Sequence, residues 1–471
     1  MLMTLLTLDR TSDTPLTEQI ILGIQKLIDN RALRSGSRMP SIRGFGDAHE
    51  VSRFTVVQAY DRLVASNYLQ SRPGSGFYVT PRPSQFGHAT PSIKLERAMD
   101  VLWLLRNALS QPGREPIPGA GWLPHEWMDE PGLQRSLRML AQKTGRHLTH
   151  YGIPQGYLPL RQLLQQRLSE YLIQADTDQI LLTNSATHAL DLIARYFIRP
   201  GDTVLVDDPG YFLLYGTLKS YGAKIVGVPW NTDGPDIEIL QQLINEHQPK
   251  LFFSNTILHN PTGASISQPV AYRLLQLAES ANMIIIEDDV FGDFHPGRIS
   301  RLATLDQLKR VIYISSFSKT ISSAMRVGFI ACTPELAQQL TDLKLLSGIS
   351  TSEINERIIH QMLVSGHYRK YLNKLHKRLQ QSKELLLENF ESLGLSPDID
   401  PEGGMFIWVN MPDHINVIEM SNRAARQGII LAPGNLFKPH QAPCQWMRFN
   451  VASSHEASHL TFLKQNINKG C

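Results

Sequence analysis

The pattern of apolar positions over the first 80 residues predicts three helices followed by a hairpin. Apolar residues recur at helical spacing from Leu16 to Ile28 and again from Val56 to Val64, and each run is typical of one face of a helix. Ser41 and Ser52 stand where N-capping residues belong, so we expect a second helix after Ser41 and a third after Ser52. Two short strand runs flank the Gly-rich turn around Gly74, which is typical of a hairpin.

From about residue 150 the pattern changes to short apolar runs that alternate with helical segments. The runs begin at Ile180, Val204, Lys224, Leu251, Ile284, Val311 and Val327. Helical spacing between them, as over 185–198 and 269–281, predicts a mainly parallel α/β sheet covered on both faces. A long helical pattern over about 355–393 is followed by apolar runs at Phe406 and Met447, which predict a smaller α+β subdomain.

These changes of pattern divide the chain into three parts. Residues 10–80 form the unit with helices and a hairpin. Residues 116–471 form the α/β unit, with a large subdomain at about 150–345 and a small one at about 346–471. The intervening residues 81–115 are punctuated by prolines and predict a linker, which also contains one helical run.

Composition narrows the setting in which the chain works. The net charge of +3 is too small to predict nucleic-acid or membrane binding by itself. No apolar run approaches the length of a membrane span, and Asp9 and Arg10 end the apolar start of the chain. Cys332, Cys444 and Cys471 show neither disulfide nor metal-ligand spacing. We therefore expect a cytoplasmic protein with no metal site and no membrane partner.

Four motifs of the first unit match one family in order and spacing. They are Gly36-Ser-Arg-Met-Pro-Ser-Ile-Arg43, Val51-Ser-Arg-Phe-Thr-Val56, Ala59-Tyr-Asp-Arg-Leu63 and Gly74-Ser-Gly-Phe-Tyr-Val79. They resemble the GntR family of bacterial transcription regulators, which implies a winged helix-turn-helix. The chain departs from that family at Gly44 and Gly46, because glycine is a poor helix former.

A winged helix-turn-helix brings particular side chains to DNA. The helix that Ser52 opens would enter the major groove with its first residues near base edges. Arginines before this helix and on the wing can reach phosphates or the minor groove. Any one of them alone is typical of surface charge, but the set at matching positions favours contact with a double-stranded operator. The predicted DNA-binding residues are Arg38, Arg43, Ser52, Arg53, Thr55, Arg72 and Gly74.

One lysine of the α/β unit has the context of a covalent cofactor site. Lys319 lies in Ser-Ser-Phe-Ser-Lys-Thr, directly after the apolar run Val311–Ile314, and Arg326 follows seven residues later. A lysine at the end of a buried strand suits a Schiff base to an aldehyde cofactor. Taken alone, the same lysine is equally typical of a protein surface.

Other polar groups follow the ends of predicted strands, where open α/β sheets bind ligands. The segment 184–187, Asn-Ser-Ala-Thr, can hold a phosphate at a helix N-terminus. Asp288 can pair with a protonated ring nitrogen. Asn260 can donate a hydrogen bond to a ring oxygen, and Tyr211 can stack on an aromatic ring. Arg448 can bind a substrate carboxylate with two parallel hydrogen bonds. Each also suits an ordinary role, as a cap, a turn residue, a core aromatic or a surface ion pair.

Taken in order, these residues resemble the fold-type I aminotransferases, which bind pyridoxal 5′-phosphate. The resemblance covers about residues 115–471 and implies an internal aldimine at Lys319 and a salt bridge from Asp288 to the pyridine nitrogen. It implies further that Tyr151 reaches the cofactor of a neighbouring subunit, so that the site needs a homodimer. Arg448 would hold a substrate carboxylate. The implied cofactor contacts are Ser185, Ala186, Thr187, Tyr211, Asn260, Asp288, Ser316, Ser318, Lys319 and Arg326.

The chain departs from the aminotransferase pattern at one place. The family commonly has a tyrosine that donates to the cofactor's ring oxygen near the positions of Val290 and Phe291, and both are apolar here. We therefore expect poorer catalysis, with at most partial transamination.

A GntR-type winged helix joined to an aminotransferase-like domain resembles the MocR subfamily of regulators. The resemblance implies a homodimeric regulator that senses a small amine, an amino acid or pyridoxal phosphate itself. Two alternatives stay open. A working aminotransferase with an accessory DNA-binding domain would show sustained turnover with a keto acid. A DNA-binding scaffold with a structural cofactor would show no spectral response to amines.

Overall fold

The computed structural model describes residues 6–80 and 117–467, apart from positions 7, 11, 13, 30, 31, 34, 73, 143, 144, 146, 147 and 455. The chain divides into two compact units, Met1–Glu96 and Arg97–Cys471. The predicted linker over 81–115 lies outside the described residues.

The smaller unit contains the helices and the hairpin that the sequence predicts. Its elements are α1 (Leu16–Asp29), α2 (Ile42–His49), α3 (Arg53–Ala65) and the antiparallel strands β1 (Leu69–Arg72) and β2 (Gly76–Val79). The apolar face of α1 buries Ile20 and Ile24 against Tyr60 and Leu63 of α3. The unit therefore folds around the stripes that helical spacing places on facing helices.

Close packing explains one of the two glycines in α2. The Ser41 Oγ accepts a hydrogen bond from the Gly44 N–H at 3.0 Å, so α2 begins directly after Ser41 as predicted. A β-carbon at Gly46 would lie 3.0 Å from the carbonyl oxygen of Val51, and the Val51 N–H donates to the Gly46 carbonyl at 3.0 Å. Gly46 thus lets the turn between α2 and α3 close tightly.

The larger unit alternates strands and helices along most of its length. Its helices are α4 (Glu130–Ala141), α5 (Leu158–Glu170), α6 (Ser185–Phe197), α7 (Phe212–Ser220), α8 (Ile237–His247), α9 (Gln268–Ser280), α10 (Leu302–Asp306), α11 (Pro334–Gly348), α12 (Glu353–Val364), α13 (His367–Ser392), α14 (Val417–Arg426) and α15 (Ala457–Ile467). Its strands are β3 (Ile180–Thr183), β4 (Thr203–Asp208), β5 (Lys224–Asn231), β6 (Gly234–Pro235), β7 (Leu251–Ser254), β8 (Ile284–Asp288), β9 (Val311–Ser316), β10 (Gly328–Ala331), β11 (Phe406–Asn410), β12 (Ala432–Pro433) and β13 (Trp446–Asn450).

An eight-stranded sheet in the order β3-β10-β9-β8-β7-β4-β5-β6 forms the centre of this unit. Strands β9, β8, β7, β4 and β5 run parallel, whereas β10 is antiparallel to both β3 and β9. Neighbouring residues of one strand enter different apolar clusters, Phe252 and Ile285 on one face and Phe253 and Ile286 on the other. Both faces are therefore buried, which is why the strands read as continuous apolar runs.

A second, three-stranded sheet in the order β11-β13-β12 belongs to the C-terminal part. The helical pattern predicted over about 355–393 is divided between two helices, α12 and α13. The break falls at Ser365 and Gly366, and Gly366 has a φ of +70°. Glycine adopts this left-handed conformation without strain, so the chain can turn between two helical patterns that look continuous.

Within the described ranges, the longest helices remain too polar or too short to cross a membrane.

Candidate functional site

One edge of the eight-stranded sheet collects the polar residues that the sequence singles out. In β10, Gly328 pairs with both Thr183 at the end of β3 and Ser316 at the end of β9. Since β10 is antiparallel to these neighbours, it begins at the edge where they end. Arg326, two residues before β10, is thereby brought to Ser185, and its Nη2 donates to the Ser185 Oγ. The same edge is the ligand-binding edge of open α/β sheets.

Hydrogen-bond donors from a helix N-terminus and from serine hydroxyl groups lie beside the Arg326 guanidinium, which has no carboxylate partner among the described residues. Ser185 is the first residue of α6, whose N-terminus has no side-chain cap, so the N–H groups of its first turn, which includes Ala186 and Thr187, are available to a ligand. The Oγ of Ser318, just after β9, lies 3.0 Å from that of Ser316. Among the residues that the structure describes, Arg326 forms no ion pair with a carboxylate. The arrangement suits a phosphate.

Lys319 is held next to a segment from the start of the larger unit. Its Nζ donates to the carbonyl oxygen of Gly121 at 2.5 Å. Burial, together with the positive charge of Arg448, lowers the pKa of Lys319 to about 8, although Asp288 opposes the shift. A substantial fraction of the amine is therefore neutral near physiological pH, which is the nucleophilic form.

Asp288 ends β8 with one carboxylate oxygen unpaired. Its Oδ1 is buried and has no hydrogen-bond partner among the described residues. Burial raises the pKa of this carboxyl to about 7, with Asp289 adding to the shift and Lys319 opposing it. A cationic ligand group would stabilise the carboxylate and complete its hydrogen bonding.

Arg448 is a buried guanidinium in β13. It is 2% exposed, and burial lowers its pKa to about 9. Its Nη1 donates to the Asn260 Oδ1 at 2.6 Å and its Nη2 to the Gly119 carbonyl at 2.7 Å, but its buried Nε has no partner in the described ranges. No described carboxylate forms an ion pair with Arg448. Buried charges are usually paired, so this guanidinium is suited to a carboxylate ligand.

Asn260 and Tyr211 border the same space. The Asn260 backbone N–H donates to the Asn255 Oδ1 at 2.7 Å. Because its own Oδ1 already accepts from Arg448, its side-chain amide keeps its N–H groups for a ligand. Burial raises the pKa of Tyr211 to about 12, and the negative charge of Asp288 adds to this shift.

These groups fit pyridoxal 5′-phosphate. A β-carbon at Gly121 would lie 3.8 Å from both the Lys319 Nζ and the Arg448 Nη2, so the glycine keeps the space between amine and guanidinium clear of side chain. The anion cradle at Arg326 and the unpaired oxygen of Asp288 match the two charged ends of that cofactor. When bound, the cofactor supplies an aldehyde that combines with amines and a ring that withdraws electrons.

Several residues at this site were missed by sequence reasoning. Gly119 and Gly121 supply carbonyl oxygens to Arg448 and Lys319, and the pair of closely spaced glycines was the available signal. Asn255, directly after β7, connects the ends of the neighbouring strands β4 and β8, because its N–H donates to Asp207 Oδ2 at 2.8 Å and its Nδ2 to the carbonyl oxygen of Asp288 at 2.8 Å. Its signal was an amide directly after β7.

The structure also places two residues that the sequence analysis discusses, Tyr151 and Phe291. Tyr151 is 79% exposed and, within the described ranges, makes no hydrogen bond or ring contact with the residues of this cluster. Phe291 is buried, and its ring packs edge-on against Phe406 with centroids 5.2 Å apart. Phe291 therefore fills a core position and can donate no hydrogen bond to a ring oxygen.

The predicted DNA-binding helix begins where the sequence indicates. The Ser52 Oγ accepts from the Thr55 N–H at 3.1 Å and lies 2.7 Å from the Thr55 Oγ1. Arg53, the first residue of α3, is exposed. The cap fixes the start of α3 and with it the residues that would face base edges.

The remaining predicted DNA contacts lie on α2 and the hairpin. Arg43 pairs loosely with Asp47, at 3.7 Å with both side chains exposed, so it remains available to a phosphate. The guanidinium of Arg72 lies 4.5 Å from the ring centroid of Tyr78, and exposed Arg38 pairs with Tyr78 through a backbone bridge. Gly74 turns the wing with a φ of +71°.

Each of the two units of the chain matches a known protein family. Residues 126–464 match the family model for aminotransferase class I and II. Residues 16–79 match the model for bacterial regulatory proteins of the gntR family.

Relatives include both regulators and aminotransferases. The uncharacterized HTH-type transcriptional regulator YdfD of Bacillus subtilis is 27% identical over 451 residues, which cover 90% of each chain. The aromatic-amino-acid aminotransferase 1 of Thermococcus litoralis is 28% identical over 76% of this chain and 85% of its own. The crystal structure of Pyrococcus horikoshii kynurenine aminotransferase in complex with PMP, KYN and KYA is 25% identical, with a TM-score of 0.73 over 82% of this chain and 99% of that one.

Proposed function

Because the chain belongs to the class I and II aminotransferase family over most of its length and carries a GntR-family unit before that domain, we propose that it is a MocR-type transcription regulator. The smaller unit binds operator DNA, and the larger unit binds pyridoxal 5′-phosphate. A regulator with this task acts on DNA in the cytoplasm.

The observation that carries the proposal is that the charged ends of Lys319 and Arg448 both lie next to Gly121. A β-carbon at Gly121 would be 3.8 Å from each of their charged nitrogens, and neither charged group forms an ion pair among the described residues. Lys319 would hold the cofactor at its aldehyde carbon. Arg448 would hold the carboxylate of an amino-acid effector, so the effector class is an amino acid or a related amine.

Dimerisation would complete the cofactor site. Tyr151 and its neighbours Leu148 and Ile153 are exposed, as are Leu346 and Ile349 at the end of α11. The two segments adjoin, since a β-carbon at residue 152 would lie 3.3 Å from the carbonyl oxygen of residue 351. Adjoining exposed apolar side chains of this size are typical of subunit interfaces. A second copy seated here would cover them, and its Tyr151 would enter this subunit's cofactor site.

Operator binding in three ligand states tests the proposal. An operator is first selected from a randomised duplex library with the full-length chain. Its affinity is then measured for the cofactor-free, the cofactor-loaded and the amine-titrated protein at one salt concentration. Allosteric coupling is commonly about 1–3 kcal/mol, or roughly 5–150-fold in affinity, and we expect a change in that range.

Lys319→Ala should abolish or distort this response, whereas Lys309→Ala, which changes an exposed lysine of the same unit, should preserve it. Identical operator affinities in all three states would refute sensing. Sustained turnover of an amino acid with a keto acid would then favour a working aminotransferase, and its absence a scaffold with a structural cofactor.

A further inference from the structure

The outward side of α3 carries an aromatic side chain that the core does not use. Phe54 is 71% exposed and lies outside the apolar cluster of the smaller unit, to which α3 contributes Val56, Ala59, Tyr60 and Leu63. Since successive residues of a helix turn by about 100°, Phe54 projects away from the centre of that buried face.

The position of Phe54 is held firmly by its neighbours. It is the second residue of α3, directly after the Ser52 cap, whose Oγ is bonded to the N–H of Thr55 at 3.1 Å. About two turns further along, Tyr60 and Leu63 are fully buried and anchor the helix. The aromatic ring is therefore presented on a rigid element before any ligand binds, which lowers the entropy lost on binding.

The outermost line of α3 continues from Phe54 through Gln58 to Asp61, and all three are exposed. A glutamine can bond both the N6 and the N7 atoms of adenine in the major groove. Asp61, at the far end of this line, would be repelled by phosphates, so the first turn of α3 is the part best suited to approach the bases.

We propose that Phe54 is a specificity-determining residue that contacts the C5-methyl group of a thymine in the operator. That methyl group is the apolar feature of the major groove, and phenylalanine is one of the side chains that contact it. The inference rests on the proposed function, because it requires α3 to enter the major groove. A thymine read by Phe54 and an adenine read by Gln58 would together favour T·A-rich half-sites.

Replacing thymidine by deoxyuridine removes only the methyl group and tests the contact directly. The cofactor-loaded, full-length protein is used to select a duplex from a randomised library, and each thymidine of that duplex is then replaced in turn. At one or more positions the wild-type protein should bind roughly three- to fivefold more weakly, as expected for one buried methyl group. Phe54→Ala should bind the unmodified duplex roughly tenfold more weakly and should not distinguish thymidine from deoxyuridine.

Leu22→Ala serves as the matched control, because Leu22 is an exposed apolar residue of α1 in the same unit. This variant should keep the wild-type discrimination. Circular dichroism and binding to random-sequence DNA should be unchanged in both variants, which separates a lost contact from a lost fold.

Two results would overturn the inference and leave the proposed function intact. One is a wild-type protein that selects a sequence but binds every deoxyuridine duplex as tightly as the original. The other is a Phe54→Ala protein that still discriminates. Failure of the wild-type protein to select any sequence would instead count against DNA regulation itself.

Discussion

At the scale of single residues, the candidate cofactor site contains buried charge that the chain does not satisfy by itself. Asp288 Oδ1 and Arg448 Nε are buried without hydrogen-bond partners among the described residues. Burial also favours the neutral form of both groups: it raises the pKa of Asp288 to about 7 and lowers the pKa of Arg448 to about 9. Such groups cost stability unless a ligand completes them, so a site of this kind is maintained at some expense to the ligand-free fold.

Asp288→Asn should change the stability of the cofactor-free protein in a pH-dependent way. An aspartate whose pKa is raised in the folded state binds more protons when folded than when unfolded. Its presence therefore makes stability fall as the pH rises from about 4 to about 7. The variant should match wild type near pH 4 and be more stable by roughly 1–4 kcal/mol at pH 8.

Thermal or urea unfolding of the cofactor-free proteins across this pH range measures the effect. The same variant should retain pyridoxal phosphate less well, because it loses the carboxylate opposite the ring nitrogen. A variant that is less stable than wild type at pH 8, or that retains the cofactor equally, would contradict the assigned role of Asp288.

Arg448→Met and Arg326→Met should have separable effects on ligands. Arg448→Met should bind amino acids roughly 10–100-fold more weakly, as expected for a lost hydrogen bond between charged groups, while binding the matching carboxyl-free amines as before. Arg326→Met should instead weaken retention of the cofactor. Absorbance titrations with amino acid and amine pairs, together with dialysis of the loaded protein, distinguish the two. Equal losses for acids and amines in Arg448→Met would show that it does not hold a carboxylate.

At the scale of elements, the antiparallel strand β10 and the capped helix α3 do most to organise the two binding surfaces. The direction of β10 carries Arg326 to the edge where β3 and β9 end. In the smaller unit, the Ser52 cap sets which residues form the first turn of α3, so Arg53 and Phe54 face outward while Val56 is buried. A shift of the helix start by one residue would change which residues form the first turn and offer their N–H groups to the cap.

Arg43→Ala and Arg53→Ala should weaken operator binding in different ways. Arg43 lies on α2 before the recognition helix, and loss of one phosphate contact should lower the salt slope of binding by about one unit for any sequence. Arg53 opens α3, and loss of a base contact should cost roughly 1–3 kcal/mol with relaxed specificity. Binding isotherms over a salt series, on operator and on random DNA, measure both quantities. Two variants that bind like wild type throughout would mean that α3 does not face the bases.

At the scale of the whole molecule, the proposed function would use contacts that one copy of the chain cannot supply. Tyr151 is 79% exposed, although the aminotransferase resemblance assigns it to a cofactor phosphate. A dimer would resolve this mismatch and would also present paired DNA-binding units to operator half-sites.

Tyr151→Phe should weaken cofactor retention by roughly 10–100-fold if its hydroxyl bonds the phosphate of the partner subunit's cofactor. Tyr272→Phe is the matched control, since Tyr272 on α9 is 62% exposed and has no place in the proposed interface. Retention is followed by the absorbance of the loaded protein during dilution, with sedimentation reporting the oligomeric state. A Tyr151→Phe protein that stays dimeric and holds the cofactor as well as the control would exclude this contact.

Local features of the sequence determined the smaller unit almost completely. Caps such as Ser41 and Ser52, the helical spacing of Ile20 and Ile24, and the Gly-rich turn at Gly74 act over a few residues, so each element is specified by its own segment. The same applies to the strand ends that carry Lys319 and Asp288, because a polar residue after a buried apolar run marks where a strand meets the ligand-binding edge.

Only the tertiary structure decided which distant groups meet. Arg448 reaches Gly119 across more than 300 positions, and Lys319 reaches Gly121 across almost 200, and no periodicity in either segment encodes such a pairing. The break at Gly366 was likewise hidden, because both flanking helices have apolar spacing of the same kind. The physical reason is that capping and spacing are short-range, whereas the meeting of loops depends on strand order and on how the two faces of the sheet are packed.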